Sequence, residues 1–515
     1  MTGSSEVAGL ADLAGRAVVV AGLGITGQSV SFLLTSQGAR VTALDSRDDA
    51  ERRDIADRLA RDGVTVRLGP EQLGPGASVP PGTALVVTSP GLRPDTPLLA
   101  SAVAAGIEVI GDVELAWRLR PALPGGGRQQ WLAITGTNGK TTTVRMLAAM
   151  LAAAGHRSIA AGNVGTPILD VVTDPEPYPV VAVELSSFQL YWSTTIRPLA
   201  AVVLNLAAHH LDWHDDIESY AAAKARIFAP GTIAIYNAED PATVAMAVAA
   251  ASRAAEAGEA ARLVGFRLGP PGAGELGIVD GWLADRAFDG ASQLGASQPA
   301  ACEPGASRTS ASRAGDTAVR LAAVSAVQPA APHNVADALA AAALARAYGD
   351  QPASIAAGLA TFVPERHRIT LVTEIDGVAF VDDSKASNPA AAAASLASFP
   401  SVVWVAGGLF RGSDDDLDGI VAAAAPRLRA AVLIGTDRAR FGKALARHAP
   451  NVPVMELSGT DTGVMDQAVA QAAAAARRGD TVLLAPAAQS WDMFRDYPAR
   501  GDAFAAAVRR LADSR

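Results

Sequence analysis

Short apolar runs alternate with helix-like segments along most of this chain. Near the start, the pattern predicts strands at residues 17–21, 40–44 and 84–88, with a helix from about 28 to 36. Comparable buried runs recur at 131–134, 180–184, 201–205, 378–381, 401–405, 431–434 and 481–484. Because buried strands separated by helices are typical of parallel sheets covered on both faces, we predict an α/β protein.

The length and two breaks in this pattern predict several domains. At 515 residues a single core is improbable. A Pro/Gly stretch at residues 121–128 predicts the first linker. Gly, Ser, Pro and Ala dominate from about 269 to 328, which predicts a loop insertion without chemistry of its own. We therefore predict three domains, at 1–124, 125–364 and 365–515.

A glycine loop follows the apolar run at residues 131–134. Its sequence is Gly-Thr-Asn-Gly-Lys-Thr, and a helix is predicted to begin near its end. Backbone N–H groups and the helix dipole make such a loop an anion site, to which Lys140 adds charge and Thr141 a hydroxyl that can ligate Mg²⁺. We interpret it as a cradle for ATP phosphates, although an ordinary strand–turn–helix junction is the alternative. The residues predicted to contact the nucleotide are Gly136, Thr137, Asn138, Gly139, Lys140, Thr141 and Thr142.

Three further features of the middle region suggest a metal site. Glu184 ends a buried strand, where an unpaired carboxylate is costly unless it binds a partner or metal. His209, His210 and His214 lie in one short segment, either as solvated imidazoles or with one facing a metal. Lys224 follows in an Ala-rich helix; it is either a solvated lysine or a buried, reactive amine, and spacing alone favours the first reading.

The first strand leads into a dinucleotide fingerprint. Gly22, Gly24 and Gly27 form G-x-G-x-x-G, and Asp45 follows about twenty residues later at the end of the next strand. NAD is the obvious ligand, but the same turn suits any ligand with a pyrophosphate and a ribose. A helix packed on a strand without a ligand is the third possibility.

Composition and charge narrow the function classes. The net charge is −9 with no Lys/Arg cluster, which argues against nucleic-acid binding. No apolar run reaches bilayer length, and the N-terminus lacks a signal-peptide pattern, so we expect no membrane partner. The single cysteine, Cys302, excludes an internal disulfide. These features predict a cytoplasmic enzyme that holds anionic substrates with local cations.

Taken together, the motifs resemble those of the Mur ligase family. The resemblance covers nearly the whole chain outside the insertion, and its motifs lie at residues 136–141, 184–189, 210–212, 224, 333–334, 367–368 and 383–388. Segments 383–388, 483–494 and 500–504 are most similar to the member that adds D-glutamate. The resemblance implies a Rossmann-like N-terminal domain, a central P-loop ATPase-type domain and a Rossmann-like C-terminal domain.

The resemblance also implies an activity and its ligands. The chain would add D-glutamate to UDP-N-acetylmuramoyl-L-alanine through an acyl phosphate, using ATP and two Mg²⁺ ions, as a monomer in peptidoglycan precursor synthesis. Thr141 and Glu184 would hold one ion, and His210 and Lys224 the other, with Lys224 carrying a carbamate. With Lys140, these residues form the implied catalytic set.

The implied substrate contacts are spread over all three domains. The UDP part would bind the first domain, and Asn163 would also touch this substrate. The residues expected around it are Ile25, Thr26, Asp45, Ser46, Arg47, Ser89 and Gly91. The nucleotide would also meet Asn334, Arg368 and Asp383. D-glutamate would bind Lys385, Ser387, Arg411, Ser490 and Tyr497.

Two residues depart from the family pattern, and three other functions compete. Arg411 stands where a lysine is expected, and Asp337 where the His-Asn-x-x-Asn pattern ends in asparagine. The competing functions are another ligase of Mur or folylpolyglutamate type, an NAD-dependent oxidoreductase, and a nucleotide switch without catalysis. The oxidoreductase leaves the middle domain unexplained.

Overall fold

The computed structural model describes residues 13–288, 318–459 and 463–514, except for the side chain of Asp212. These residues form three sheets in chain order and divide into two compact units. The first unit is Met1–Ala326 with Ala336–Phe362, and the second is Val327–Val335 with Val363–Arg515. No helix among the described residues is long and apolar enough to cross a membrane. The predicted α/β class with three α/β domains is confirmed.

The first sheet has five parallel strands in the order β3-β2-β1-β4-β5. Its elements are β1 (Ala17–Ala21), α1 (Ile25–Ser36), β2 (Arg40–Asp45), α2 (Ala50–Arg61), β3 (Thr65–Leu68), β4 (Thr83–Thr88), α3 (Pro97–Ala104), β5 (Glu108–Gly111) and α4 (Asp112–Leu119). The run of β-branched residues in β1 is buried on both faces, as expected for a central parallel strand. Helix α1 begins at Ile25, three residues before the predicted start, directly after the glycine turn.

The second sheet belongs to the same unit and has the order β14-β13-β12-β11-β10-β9-β6-β8-β7. Its elements are β6 (Gln130–Thr135), α5 (Lys140–Ala153), β7 (Ser158–Gly162), α6 (Ile168–Val172), β8 (Val180–Glu184), α7 (Ser187–Tyr191), β9 (Ala200–Val203), α8 (Leu211–His214), α9 (Ile217–Ala225), β10 (Ile233–Asn237), α10 (Pro241–Glu256), β11 (Leu263–Phe266), β12 (Glu275–Val279), β13 (Trp282–Asp285), β14 (Val319–Ala323), α11 (Pro332–Tyr348) and α12 (Pro352–Thr361). Strand β6 lies between the parallel strands β8 and β9, so the loop after it is flanked by the carboxyl ends of both.

The predicted loop insertion at 269–328 is wrong for part of its length. Strands β12 and β13 form an antiparallel hairpin, and β14 pairs with β13. The hairpin turn is Asp280-Gly281, and both residues have positive φ, at 50° and 76°. Asp-Gly is a strong hairpin signal that the high Gly and Pro content of this region obscured. The remainder of the predicted insertion, at 289–317, lies outside the described residues.

Within the first unit, the two sheets share a core and a buried carboxylate. One hydrophobic cluster contains residues of both, and Trp117 meets Trp131 edge-on with ring centroids 5.2 Å apart. The fully buried Glu114 of α4 accepts hydrogen bonds from the backbone N–H groups of Thr194 and Thr195, at 2.9 and 3.0 Å. This carboxylate satisfies backbone donors in the loop between α7 and β9 and so links α4 of the first sheet to the second.

The second unit holds the third sheet, in the order β15-β16-β20-β17-β18-β19, with β15 antiparallel and the rest parallel. Its elements are β15 (Thr370–Ile375), β16 (Val378–Asp382), α13 (Pro389–Ala397), β17 (Val402–Gly407), α14 (Asp414–Ala424), β18 (Leu428–Ile434), α15 (Arg438–His448), β19 (Val454–Glu456), α16 (Val464–Ala475), β20 (Thr481–Leu484) and α17 (Tyr497–Asp513). Asn388 and Asp496 cap α13 and α17 with their side chains.

Candidate active site

The glycine loop between β6 and α5 adopts the conformation that its two glycines allow. Gly136 and Gly139 have φ of 156° and 84°, and Gly139 caps α5. The Nζ of Lys140 donates to the carbonyls of Gly136 and Thr137, at 2.9 and 3.0 Å. Lys140 therefore folds over its own loop, and its charge lies at the N-terminus of α5, where an anion would be stabilised.

The strand-end carboxylate Glu184 lies next to this loop. Its Oε2 accepts from the Thr141 hydroxyl at 2.9 Å, and its Oε1 accepts from the Asn163 amide at 2.9 Å. Glu184 is 2 % exposed, so the two hydrogen bonds satisfy a carboxylate that burial would otherwise penalise. Three residues predicted from separate parts of the sequence are thus in direct contact.

Lys224 of α9 is buried beneath the loop. Its Nζ donates to the Gly136 carbonyl at 2.9 Å and to the Thr135 hydroxyl at 3.3 Å, and it lies 4.6 Å from the centre of the Tyr220 ring. The side chain is 1 % exposed. Burial, and then the nearby charge of Lys140, hold the pKa of Lys224 well below its usual range. The prediction of a solvated lysine, which spacing favoured, is wrong, because α9 packs against α7, α8 and α10 and directs Lys224 to the end of β6.

The histidine segment separates into an exposed and a buried residue. His210 is exposed, has a φ of 56°, and packs on Phe188 with ring centroids 4.8 Å apart. His214 is buried, with its Nε2 2.9 Å from the Ser187 hydroxyl. Burial, followed by the charges of His210 and Lys224, lowers the pKa of His214 to about 4. His214 is therefore neutral and structural, whereas His209 is partly exposed and lies with its ring centroid 3.8 Å from that of the exposed His210.

The chemistry of these donors fits Mg²⁺ better than a softer metal. Among the described residues, no three or more His, Cys, Asp or Glu side chains are grouped so that they could hold a metal ion. Mg²⁺ is usually held by one or two carboxylates together with water and phosphate oxygens, so a Thr141–Glu184 pair beside a phosphate loop suffices. Lys224 itself could contribute an oxygen ligand only as a carbamate.

In the first sheet, the carboxylate of Asp45 is already engaged. It accepts from the backbone N–H groups of Leu23 and Arg47, at 2.7 and 2.8 Å, and its Oδ2 lies 3.5 Å from the Nε of the buried Arg52. In an NAD site the equivalent acid would accept ribose hydroxyls. Here Asp45 fixes the glycine turn through its contacts with Leu23 and Arg47.

The other residues predicted to bind the UDP part lie near the turn that follows β1. Ile25 is 79 % exposed, Thr26 is partly exposed, and Ser46 and Arg47 are exposed. The Ser89 hydroxyl donates to the carbonyl of Gly22 at 3.1 Å. These side chains flank the turn after β1, where diphosphates bind in such sheets.

A loop of the first domain also contacts the histidine segment. The carbonyl of Gly91 accepts from the Trp213 indole at 3.0 Å, and Arg93 donates to the Trp213 carbonyl at 3.2 Å. Both partners belong to the first unit. The loop predicted to touch one substrate is thereby held beside α8, next to His210.

The second unit gathers several of the predicted amino-acid and nucleotide contacts. The Nζ of Lys385 lies 2.5 Å from Oε2 of Glu365, and the Tyr497 hydroxyl donates to Oε1 at 3.3 Å. The Nε of Arg368 is 3.5 Å from the same Oε2. Lys385, Tyr497 and Arg368 therefore converge on one carboxylate, which the sequence did not single out.

The remaining predicted residues of this unit differ in their surroundings. Burial raises the pKa of Asp383 to about 6, despite a hydrogen bond from Ser395. Ser490 is buried, Ser387 is partly exposed, and Arg411 is exposed. The buried Asn334 donates to the Pro329 carbonyl at 3.0 Å.

Two residues shape these sites through contacts that the sequence does not predict. Asp337 of α11 packs its carboxylate directly against Gly139 of the phosphate loop. The fully buried Arg500 donates to the Ser384 carbonyl and to the Ala488 carbonyl, at 2.8 and 2.9 Å, and so joins the loops after β16 and β20. Arg500 stands in a quoted family motif, but only the fold reveals what it holds.

Comparison with known proteins agrees with this architecture along the whole chain. The Mur ligase MurD-like N-terminal domain matches residues 16–111, the Mur ligase middle domain matches 134–263, and the Mur ligase glutamate ligase domain matches 367–488. A relative from Thermobifida fusca is 53 % identical over 97 % of this chain and 100 % of its own length. A relative from Streptomyces coelicolor is 51 % identical over 97 % of this chain and 99 % of its own length.

Solved structures support the same fold. A pseudomurein peptide ligase type C from Methanothermus fervidus superimposes with a TM-score of 0.54 at 17 % identity, over 96 % of this chain and all of that one. The UDP-N-acetylmuramate-alanine ligase of Thermotoga maritima superimposes with a TM-score of 0.51 at 16 % identity, over 97 % of this chain and 100 % of that one. At these identities the likeness shows the fold alone.

The phosphate loop has a paired Thr and Glu, and each of the three sheets lies in a region that a Mur ligase family model matches at least in part. Together they define an ATP-dependent ligase that forms C–N bonds. The chain belongs to the Mur ligase family. Within that family, the relatives from T. fusca and S. coelicolor are both named UDP-N-acetylmuramoylalanine--D-glutamate ligase.

Proposed function

We propose that this chain joins D-glutamate to UDP-N-acetylmuramoyl-L-alanine, converting ATP to ADP and phosphate, in the synthesis of peptidoglycan precursors. The observation that carries the proposal is the shared name of relatives 45–53 % identical that align over nearly their full length. The phosphate loop with its Thr141–Glu184 pair favours this reading over an NAD-dependent oxidoreductase, which has no use for it.

The first step is transfer of the terminal phosphoryl group of ATP to the substrate carboxylate. The carboxylate oxygen forms a P–O bond as the bond to ADP breaks, which gives an acyl phosphate and makes phosphate the later leaving group. Anionic oxygens crowd together in this step and require cations. Lys140 supplies one by turning from its loop carbonyls to the phosphates, and the loop N–H groups supply further donors.

Magnesium would be held at two places in this arrangement. Thr141 and Glu184 form the first donor pair, and His210 with Lys224 the second. When bound, the ions neutralise phosphate charge and orient the transferring group. Asn163 donates to Glu184 and so orients that carboxylate, and it is also placed to contact the substrate.

A carbamate on Lys224 would form from carbon dioxide without another reactant. The neutral amine forms an N–C bond to CO₂ and loses one proton, which leaves an anionic oxygen donor. The lowered pKa of Lys224 favours the neutral amine that this reaction needs.

The two remaining ligands would be bound as follows. The UDP moiety lies along the glycine turn of the first sheet, against Ile25, Thr26, Asp45, Ser46, Arg47, Ser89 and Gly91. D-glutamate binds Lys385, Ser387, Arg411, Ser490 and Tyr497. Asn334, Arg368 and Asp383 contact the nucleotide.

The second step is attack by D-glutamate. Its amine must be the free base, because an ammonium has no lone pair to form the new N–C bond. The tetrahedral adduct then expels phosphate and leaves the amide. No protein nucleophile is required, so the protein positions the amine and stabilises the developing oxyanion. The reaction consumes precursors expected in the cytoplasm, and the chain is proposed to act as a monomer.

The proposal is tested by phosphate release from ATP with UDP-N-acetylmuramoyl-L-alanine present. We expect rapid release with D-glutamate and little with L-glutamate, a diamino acid or no acceptor. The Lys140→Ala variant should be inactive, since it lacks the cation at the phosphates. Faster release with another amino acid would assign the chain to a different ligase, and release without any acceptor consumption would indicate a nucleotide switch.

A further inference from the structure

Glu365 lies at the centre of the proposed amino-acid site, although no part of the proposed reaction uses it. The residue precedes β15 in the second unit, and its side chain is 24 % exposed. Lys385 is 21 % and Arg368 23 % exposed, so these charges are partly shielded from water. Ion pairs in such surroundings are stronger than those at the open surface.

Three groups contact this carboxylate. One oxygen lies 2.5 Å from Nζ of Lys385 and 3.5 Å from Nε of Arg368, while the other accepts from the Tyr497 hydroxyl at 3.3 Å. Lys385 also lies 5.2 Å from the centre of the Tyr497 ring. Burial, followed by the charge of Glu365, raises the pKa of Tyr497 to about 12, which keeps its hydroxyl protonated as a donor. A cation and a phenol donor around one carboxylate are what a ligand carboxylate would need.

We propose that Glu365 is an internal competitor for the amino-acid substrate, whose carboxylate occupies Lys385 and Tyr497 until a carboxylate of the ligand displaces it. This inference rests on the proposed function in one respect, namely that Lys385 and Tyr497 bind the acceptor. The exchange replaces one anion by another, so the cations keep a partner throughout. Glu365 thereby weakens acceptor binding and keeps the cations paired when the acceptor is absent.

The test compares Glu365→Gln with the unaltered protein in two measurements. Steady-state phosphate release gives KM for D-glutamate and for ATP, and titration calorimetry gives Kd for glutarate, which has both carboxylates but no amine. We expect KM for D-glutamate and Kd for glutarate to fall about five-fold, which corresponds to ~1 kcal/mol. KM for ATP should change less, because Glu365 lies farther from Arg368, a proposed nucleotide contact, than from Lys385. Glu365→Asp keeps the charge but shortens the reach to Lys385. Its KM for D-glutamate and Kd for glutarate should therefore lie between those of Glu365→Gln and the unaltered protein.

The matched control is Glu374→Gln, which removes the same charge from an exposed position on β15. This variant should behave like the unaltered protein. If Glu365→Gln leaves glutarate binding unchanged or weakens it, Glu365 does not compete with the ligand and the inference is wrong. If the unaltered protein does not consume D-glutamate, the proposed function fails, whereas the glutarate titration still tests the displacement.

Discussion

Lys224 is held in surroundings that a lysine side chain rarely occupies. It is 1 % exposed, beside the Tyr220 ring and the carbonyl of Gly136. Because removal from water disfavours the ammonium, its pKa falls well below the usual range, and the amine is available for chemistry at neutral pH. A lysine kept only for packing would be replaceable by an apolar residue of similar size.

We predict that Lys224→Ala lowers kcat by about a hundred-fold or more, since the variant would lack the ligand proposed for the second metal ion. Short carboxylates such as acetate should partly restore activity by filling the space that the carbamate leaves. Carbon-13 NMR of protein exchanged into labelled bicarbonate should show a carbamate signal that the variant lacks. Full activity in Lys224→Ala would exclude the carbamate.

The carboxylate of Asp337 suggests a second prediction at this scale. It lies against Gly139 at the start of α5, where the phosphates of ATP are proposed to bind. Two anions at one helix terminus repel each other. Asp337→Asn should therefore lower KM for ATP by about three-fold in steady-state assays. Asp57→Asn, at an exposed position on α2, is the control for lost charge; an unchanged or higher KM in Asp337→Asn would contradict the prediction.

Residue contacts were predictable where they follow from a local motif. The Thr141–Glu184 contact follows from a phosphate loop and an acid at the end of a strand in the same sheet. The contacts that Glu365 makes with Lys385 and Tyr497, and Asp337 with Gly139, do not, because they join residues far apart in sequence. Spacing gave no signal for Glu365, and for Asp337 it showed only a departure from the family pattern.

At the scale of elements, the helix that follows the phosphate loop is fixed by a close approach. Gly358 of α12 lies so near α5 that a Cβ added there would come within 2.5 Å of Cα of Met150 and 2.6 Å of its nitrogen. Backbone atoms cannot yield as a flexible side chain can. The position of α5, and with it the loop, therefore depends on a residue without a side chain.

We predict that Gly358→Ala destabilises the first unit by about 1–3 kcal/mol and raises KM for ATP, because α5 must move. Thermal unfolding followed by circular dichroism gives the first quantity and phosphate release the second. The matched control is Gly419→Ala in α14, where an added Cβ meets nothing within 4 Å. That substitution should stabilise its helix by about 0.5–1 kcal/mol. Equal effects of the two variants would show that the close approach is unimportant.

Helices and strands with a strong apolar pattern were predictable from the sequence. Strands in the segment rich in Gly and Pro were not. The central strands lie within a few residues of their predicted positions, since β-branched runs leave little choice. The hairpin of β12 and β13 was missed because Gly and Pro around it indicated a loop. Its stability comes from pairing with a sheet edge, which composition does not reveal.

For the whole molecule, the segment 289–317 offers a further test. Asp285 and Val319 are register partners in β13 and β14, so the strands flanking this segment are adjacent. Replacing residues 289–317 by a four-residue Gly/Asn turn should leave kcat within about two-fold. The shorter connection should also stabilise the first unit by about 1–2 kcal/mol, measured by thermal unfolding. Loss of activity in a folded variant would show that the segment has a function.

The carboxylate of Glu114 has a consequence for exchanging parts between ligases of this family. Glu114 accepts hydrogen bonds from the backbone N–H groups of Thr194 and Thr195. The first domain, which would recognise the nucleotide sugar, is therefore hydrogen-bonded to the second, which would hold ATP. A chimaera that grafts a foreign amino-terminal domain onto this chain would leave those two donors without this acceptor unless the graft brings its own acid at that position. The chimaera would then lose activity because the grafted domain packs poorly against the rest of the chain, even if every ligand contact were kept.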